Sequence, residues 1–248
     1  MRLTQADHII YAISMLRPYW NGGKGLEVEE FSETGTANIK YNGTNVGYVI
    51  DDYEKSDYMF MVLTLQKCML PDRVSKQLAH TANDNEIKVV FVPMIDIGFG
   101  ITRTFLSVKQ HKRILNKVAQ YSQDDVKTAA MMGTGDHVTH PVLRIATAYT
   151  YNQTIGHTKF HAEATLAEFA SITEINPQDR ECWFMDLEPC ENCLQDMIDQ
   201  GARSIVYMTN HKEKWNTEEY LELVDQIHAK IIRTPDNYPV IYKKEVII

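Results

Sequence analysis

The sequence predicts an α/β protein with an additional N-terminal part, and two observations lead to this fold class. Between residues 143 and 233, strand-like apolar runs alternate with segments whose apolar residues have helical spacing, as in a sheet covered by helices. Hydrophobic residues make up 44% of the 248-residue chain, which is enough for a full core. We interpret residues 1–106 as an N-terminal α+β extension or small domain and residues 107–248 as the main domain.

The N-terminal part is predicted to contain two helices, a hairpin and further strands. Thr4–Leu16 has its apolar residues on one helical face, which predicts an amphipathic helix and not a secretory signal. Asn42 and Gly43 separate two strand-like runs, and an Asn-Gly pair is typical of a tight hairpin turn. Further elements are expected at Tyr58–Leu65, Lys88–Pro93 and Ile101–Val108 as strands and at Asp72–Ala82 as a helix.

The C-terminal part is predicted to alternate regularly between helices and strands. A helix is expected around His111–Met132. The elements expected after it are strand Leu143–Tyr151, helix His161–Glu174, strand Cys182–Leu187, helix Pro189–Gln200, strand Ser204–Met208, helix Thr217–His228 and strand Lys230–Arg233.

Three residues of this part have the types and spacing of zinc ligands. His161, Cys190 and Cys193 offer one imidazole and two thiolates, which leaves the fourth tetrahedral position open for water. An open position is typical of a catalytic zinc, because a structural zinc has four protein ligands. Glu163 adds a carboxylate for proton transfer, and Pro189 completes the pattern His-x-Glu…Pro-Cys-x-x-Cys, which is typical of zinc-dependent nucleobase deaminases.

Each half of the pattern has other interpretations when it is taken alone. The histidine half is most often a capping or surface residue, and a Cys-x-x-Cys pair is also found in zinc ribbons, redox dithiols and cores. A ribbon needs a second cysteine pair, but Cys68 and Cys182 are far apart. A thioredoxin-like dithiol usually has a Gly-Pro or similar pair between its cysteines, whereas Glu191 and Asn192 stand here. A single zinc site bound by His161, Cys190 and Cys193 accounts for more of these residues than a ribbon or a redox dithiol does.

The local sequence favours placing these residues at two helix N-termini. Pro189 suits the first turn of a helix, where Cys190 and Cys193 then share one face. The positive end of the helix dipole favours thiolates at such a position. His161 and Glu163 are expected in the first turn of the other helix, with Glu163 pointing toward a metal-bound water instead of ligating the metal.

These motifs resemble those of the cytidine deaminase superfamily, most closely the branch of tRNA adenosine, guanine and deoxycytidylate deaminases. Tyr151–Gly156 leads into Lys159–Glu163 and is similar to the aromatic-Asn motif that precedes the family's His-Ala-Glu. Leu187–Cys190 is similar to the family's Leu-Glu-Pro-Cys. The resemblance covers about residues 140–232 and implies a three-layer α/β/α fold with a mixed sheet of about five strands.

The resemblance also implies a role for each residue of the site. Zinc (Zn²⁺) would be the cofactor, Glu163 would transfer protons during the reaction, and ammonia would be released. Asn152 and Ala162 would contact the substrate, although an Asn after a strand is also common as a turn residue. The family has a helix and a β-hairpin before this Asn, but only one strand-like run, Val142–Tyr151, precedes it here. We therefore expect the first strand at Lys88–Val92 or Ile101–Val108.

Charge and composition indicate the partners. The formal charge is −8, from 33 acidic and 25 basic residues, so we expect a free nucleobase, nucleoside or nucleotide as substrate and no nucleic-acid or membrane partner. Near the motif, the acidic residues Glu181, Asp186, Glu188, Glu191, Asp196 and Asp199 accompany only the basic residues Arg180 and Arg203. Four cysteines and no signal favour the cytoplasm.

Several alternatives stay open at this point. One is a deaminase that acts on a base in tRNA or single-stranded DNA, for which the basic strip Lys109–Lys117 and the pair Lys212 and Lys214 would matter. A solvated helix face is the simpler interpretation of that strip. Another is a zinc-stabilised binding or assembly protein without turnover. His137 and His140 are interpreted as surface loop histidines. Whether the chain assembles into a homo-oligomer is left open by the sequence.

Overall fold

The computed structural model describes residues 26–29, 36–52, 54–65, 72–93, 95–96, 100–101, 104–105, 108–136, 142–209, 218–226, 229–232 and 240–244. They form two compact units. The first contains the described residues up to Thr102 together with Gln153–Phe160, and the second contains those of Arg103–Asn152 and His161–Ile248. The return of Gln153–Phe160 to the first unit was not predicted from the sequence.

The described residues form sixteen strands, five α-helices and a 3-10 helix at Pro177–Arg180. In chain order these are β1 (Leu26–Glu29), β2 (Thr36–Tyr41), β3 (Thr44–Ile50), β4 (Met59–Thr64), α1 (Asp72–Asp84), β5 (Ile87–Val92), β6 (Ile95–Asp96), β7 (Gly100–Ile101), β8 (Thr104–Phe105), α2 (Val108–Ala119), β9 (Ala129–Asp136), β10 (Val142–Tyr151), β11 (Gln153–Ile155), β12 (Thr158–Phe160), α3 (Ala162–Ile172), β13 (Cys182–Leu187), α4 (Glu191–Asp199), β14 (Ser204–Thr209), α5 (Glu218–Gln226), β15 (Ala229–Ile232) and β16 (Val240–Lys244).

The first unit contains a sheet in the order β1-β2-β3-β4-β5. Its strands are antiparallel neighbours except for β4 and β5, which are parallel and are connected through α1. The predicted Asn-Gly turn is confirmed between β2 and β3, where Asn42 and Gly43 have φ values of 49° and 76°. Two small hairpins, β6 with β7 and β11 with β12, complete the described part of this unit.

Most of the predicted elements of the N-terminal part are present. The strands expected at Tyr58–Leu65 and Lys88–Pro93 are β4 and β5, and the helix expected at Asp72–Ala82 is α1. Of the strand expected at Ile101–Val108, the described residues show Ile101 at the end of β7 and Thr104–Phe105 as β8. Its predicted end is wrong, because α2 begins at Val108. The helix predicted at Thr4–Leu16 lies outside the described residues.

The second unit has the predicted α/β fold. Its sheet order is β10-β9-β13-β14-β16-β15, with β8 paired to β10, and β13 and β14 are parallel while the other neighbours are antiparallel. Consecutive residues are buried along the central strands, at 129–132 and 182–185. Since alternate residues of a strand face opposite sides, both faces of the sheet are covered, which gives the three layers.

The helix expected around His111–Met132 is correct only in its first part. Helix α2 ends at Ala119, and Ala129–Asp136 forms β9, which pairs antiparallel with β10. A helix and a β-hairpin therefore precede Asn152, and the hairpin strand that the prediction missed is β9. The first strand of this unit in chain order, β8, lies within the predicted range Ile101–Val108 and pairs with β10. Ala and Met are good helix formers, but here their burial between β10 and β13 outweighs that local preference.

The later elements of this unit agree with the prediction, apart from one. Helices α3, α4 and α5 and strands β13, β14 and β15 lie within a few residues of their predicted bounds. Strand β16, between β14 and β15 in the sheet, was not predicted. Within the described ranges, no helix has both the length and the apolar character needed to span a membrane.

Candidate metal site

His161, Cys190 and Cys193 lie together in the second unit, at the N-termini of two helices. His161 is the residue before α3 and Cys190 the residue before α4, and both have extended backbone angles. Cys193 is in the first turn of α4. The Sγ atoms of both cysteines lie near Nδ1 of His161, so they face the same side of the helix start, as predicted. Pro189 lies outside the helix, not in its first turn as predicted, because α4 begins at Glu191.

The two N···S separations of the group are close to those that a tetrahedral zinc ion requires. The Sγ atoms of Cys190 and Cys193 lie 3.5 and 3.3 Å from Nδ1 of His161, and all three ligand atoms lie within 4.8 Å of one another. Zinc bonds of about 2.0–2.1 Å to nitrogen and about 2.3 Å to sulfur at tetrahedral angles require N···S distances of roughly 3.5–3.6 Å. Among the described residues, this is the one group of His, Cys, Asp and Glu side chains that fits a metal ion.

The local sequence of α4 holds the two cysteines in place. Strand β13 ends at Leu187, and the N–H of Leu194 donates to the carbonyl of Cys190 at 2.8 Å, closing the first turn. Leu194 and Met197 are buried on the inner face of the helix. Gly201 ends the helix with φ 86°, as expected for a C-terminal glycine, and the following N–H bonds back to Met197. The loop that carries Cys190 is thus fixed between a strand end and a packed helix.

The hydrogen bond between the two thiols shifts their pKa values in opposite directions. The hydrogen bond from Cys193 lowers the pKa of Cys190 below its ordinary value, and the hydrogen bond to His161 lowers it further. The same hydrogen bond to Cys190 raises the pKa of Cys193, and burial adds to this. The hydrogen bond with Cys190 raises the pKa of His161. A metal ion that takes both thiolates must therefore displace a proton from this group.

Glu163 is a buried carboxylate beside the three ligands. It lies in the first turn of α3 and is only 8% exposed. Burial raises the pKa of Glu163 to about 7, and the charges of His161, Cys190 and Asp186 also act on it, so these groups are close in space. A carboxylic acid that titrates near neutrality is suited to taking up and returning a proton.

Asn152 is tied to the start of α3. Its Oδ1 accepts a hydrogen bond of 2.9 Å from the backbone N–H of Ala162, while its own N–H donates to the carbonyl of Thr128 and its carbonyl accepts from Ser122 Oγ. Among the described residues, Nδ2 of Asn152 has no hydrogen-bond partner. Of the two residues predicted to contact the substrate, Ala162 already uses its backbone N–H in this hydrogen bond.

Two acidic residues near the site were counted in the sequence only for their charge. Asp186 accepts a hydrogen bond of 3.0 Å from the N–H of Ala129, and burial raises the pKa of Asp186 to about 6. Glu188 accepts from the hydroxyls of Tyr207 and Tyr220 at 3.3 and 3.5 Å. The position of Glu188 in the Leu-Glu-Pro-Cys run was the signal that could have identified it as a residue that holds the cysteine loop.

Two basic residues of the strip Lys109–Lys117 lie on an exposed helix face. On α2, Lys112 and Arg113 are exposed while Leu115 and Val118 are buried, which agrees with a solvated face. His137, His140, Lys212 and Lys214 lie outside the described residues.

Neither a protein-family model nor a curated protein matches this chain.

Proposed function

We propose that the protein is a zinc-dependent hydrolytic deaminase that acts on a free nucleobase, nucleoside or nucleotide. The observation that carries the proposal is the joint placement of one imidazole and two thiols at tetrahedral distances, with a buried carboxylate beside them. Three ligands leave one position for water, which is the arrangement of a hydrolytic zinc. The helix and hairpin that lead to Asn152 add support, because the resemblance implies them in this order.

The reaction follows from what each side chain can do. When bound, zinc supplies a Lewis acid that makes a water molecule reactive near neutral pH. Glu163 would take one proton from the attacking water and give it to the ring nitrogen as the water oxygen bonds to the amino-bearing carbon. It would then move the proton of the resulting hydroxyl to the amino group, which leaves as ammonia when the C–N bond breaks. Nδ2 of Asn152 is free to donate a hydrogen bond to the substrate, while Oδ1 holds the start of α3. The buried position of Glu163 keeps bulk water away from the proton that it carries.

A small substrate is favoured over a polynucleotide by the charges around the ligands. Asp124 acts on the pKa of His161, and Cys190 acts on that of Asp196, so carboxylates lie near both ends of the ligand group. A polynucleotide would have to overcome this repulsion, since nucleic-acid binding depends on replacing counterions with Lys and Arg. The free thiols of Cys182, Cys190 and Cys193 are in keeping with a reducing compartment, which for this protein we propose to be the cytoplasm.

The test is a panel of free bases, nucleosides and nucleotides assayed for ammonia release by the zinc-loaded protein. We expect turnover of at least one member, and loss of it in Cys190→Ala together with Cys193→Ala. A binding titration with tRNA and single-stranded DNA at several salt concentrations accompanies the panel. If no small molecule releases ammonia and the protein binds tRNA or single-stranded DNA with submicromolar, steeply salt-dependent affinity, a deaminase that acts on nucleic acid is favoured instead. Zinc binding without any turnover would favour a binding or assembly protein.

A further inference from the structure

The hairpin β11–β12 connects two residues that the proposed function uses. Gln153 follows Asn152 directly, and Phe160 directly precedes His161. Gln153 and Phe160 are partners across the hairpin, so the chain leaves Asn152 and returns to His161 through one pair of neighbouring residues. Gln153 is joined to Asn152, and Phe160 to His161, by a single peptide bond. Contacts that fix this pair therefore also fix the points at which the chain leaves Asn152 and reaches His161.

The Gln153 end of the hairpin is fixed by a buried hydrogen-bond network. Gln153 is fully buried, and its Oε1 accepts from the N–H of Val89 at 2.7 Å while its Nε2 donates to the carbonyl of Val89 at 3.0 Å. Nδ2 of Asn83 donates to the same Oε1 at 2.7 Å and also to the carbonyl of Ile87 at 3.0 Å. A buried network in which these groups are all paired holds one geometry, since any shift leaves a polar atom without a partner.

The Phe160 end is fixed by aromatic and cationic contacts. The rings of Phe160 and Tyr58 lie edge to face, with centroids 5.0 Å apart. Nζ of Lys88 lies 4.1 Å from the centroid of Phe160 and 4.4 Å from that of Tyr58, and Lys88 is only 2% exposed. Such contacts are strongest when water is excluded from them. Adjacent residues of β5, Lys88 and Val89, therefore hold the last and the first residue of the hairpin.

We propose that these contacts, which we call the hairpin anchor (Tyr58, Asn83, Lys88, Val89, Gln153 and Phe160), hold Gln153 and Phe160 at a fixed separation, and that this separation sets the spacing between their chain neighbours Asn152 and His161. Gln153 and Phe160 are then positioning residues for the metal and the substrate. The inference rests on the proposed function. The hydrogen bond between Asn152 and Ala162 ties together the two chain ends that leave the anchor.

The anchor is tested at its Phe160 end by a matched pair of variants. Phe160→Leu removes the ring, and Phe160→Tyr keeps it. We measure the dissociation constant of Zn²⁺ by chelator competition and the visible spectrum of the Co²⁺ form, both well below the unfolding temperature. We expect Phe160→Leu to weaken Zn²⁺ binding about 10-fold and to change the Co²⁺ spectrum, because residues that support a metal ligand usually affect both. Phe160→Tyr should have the Zn²⁺ affinity and the Co²⁺ spectrum of the parent.

The Gln153 end is tested by Gln153→Leu, with Thr158→Ala as the control, because Thr158 is an exposed residue of the same hairpin. Gln153→Leu is expected to weaken Zn²⁺ binding and to raise the KM of any substrate found, whereas Thr158→Ala matches the parent. If Gln153→Leu does not fold, the Phe160 pair decides. If Phe160→Leu and Gln153→Leu have lower thermal stability but unchanged Zn²⁺ affinity and Co²⁺ spectrum, the positioning role of the hairpin anchor is overturned, while the proposed function is not. A parent protein that binds no Zn²⁺ would overturn the proposed function itself.

Discussion

Asn152 caps the helix that begins beside the proposed zinc ligand His161: its Oδ1 accepts the N–H of Ala162 at 2.9 Å. His161 makes no side-chain cap of its own, so its ring stays available for a metal ion. One asparagine thus satisfies an N–H at the helix terminus with its oxygen and can offer its nitrogen to a substrate.

Two substitutions of Asn152 separate these two tasks. Asn152→Asp keeps an acceptor for Ala162 and removes the Nδ2 donor, so we expect near-parental stability and a KM at least about 10-fold higher. Asn152→Ala removes both groups and should also lower the free energy of unfolding by about 1 kcal/mol, the usual cost of losing a cap. Urea unfolding and steady-state kinetics check this. Parental kinetics in Asn152→Asp would show that the nitrogen does not contact the substrate.

Removal of the thiols should remove the metal. The protein is expected to hold about one zinc per chain, and Cys190→Ala with Cys193→Ala should lose it and unfold more easily, because metal binding and folding are coupled. Cys182→Ala is the matched control, since Cys182 is a buried thiol outside the ligand group. Elemental analysis of purified protein measures the outcome. Full zinc content in the double variant would remove these cysteines from the site.

Glu163→Gln should separate metal binding from turnover. The amide has the shape of the carboxylate but cannot carry the proton, so activity should fall by about 10²-fold or more while zinc content stays the same. Activity and elemental analysis of the same preparation give both values. If this variant loses zinc along with thermal stability, Glu163 is a ligand or a structural residue instead.

Asp186 should make the stability of the fold depend on pH. Burial raises its pKa from 3.8 to about 6, against the opposing effects of the hydrogen bond from the N–H of Ala129 and of the charge of Lys112. The folded state therefore binds this proton more tightly than the unfolded state, and the stabilisation is lost as pH rises from about 4 to about 6. Asp186→Asn keeps an acceptor for the N–H of Ala129 and should remove this pH-dependent stabilisation, which is at most about 3 kcal/mol for a pKa raised from 3.8 to about 6.

Urea unfolding of the metal-free parent and of Asp186→Asn at several pH values between 4 and 7 tests this. Both proteins carry Glu163, the nearby carboxylate that also titrates, so its contribution largely cancels in the difference. Parallel stability curves for the two proteins would mean that Asp186 does not retain its proton in the fold.

The sequence predicted those features that local patterns determine. Pro189 before Cys190, with the apolar residues Leu194 and Met197 at helical spacing after it, indicates a helix start from local sequence alone. Strand β9 was missed because Ala129–Met132 favours a helix locally, and only pairing with two distant strands makes it a strand. The partner of Gln153 could not be predicted either, since its hydrogen bonds with Val89 join residues far apart in the chain.

The most direct test of the central proposal is ammonia release measured while metal-free protein is titrated with Zn²⁺, on a substrate taken from the panel. The account predicts that activity rises in proportion to bound zinc and stops rising at about one zinc per chain, the capacity of one three-ligand site. Ammonia release that is unchanged by removal of zinc, or a zinc-loaded protein that releases none from any substrate of the panel, would contradict it.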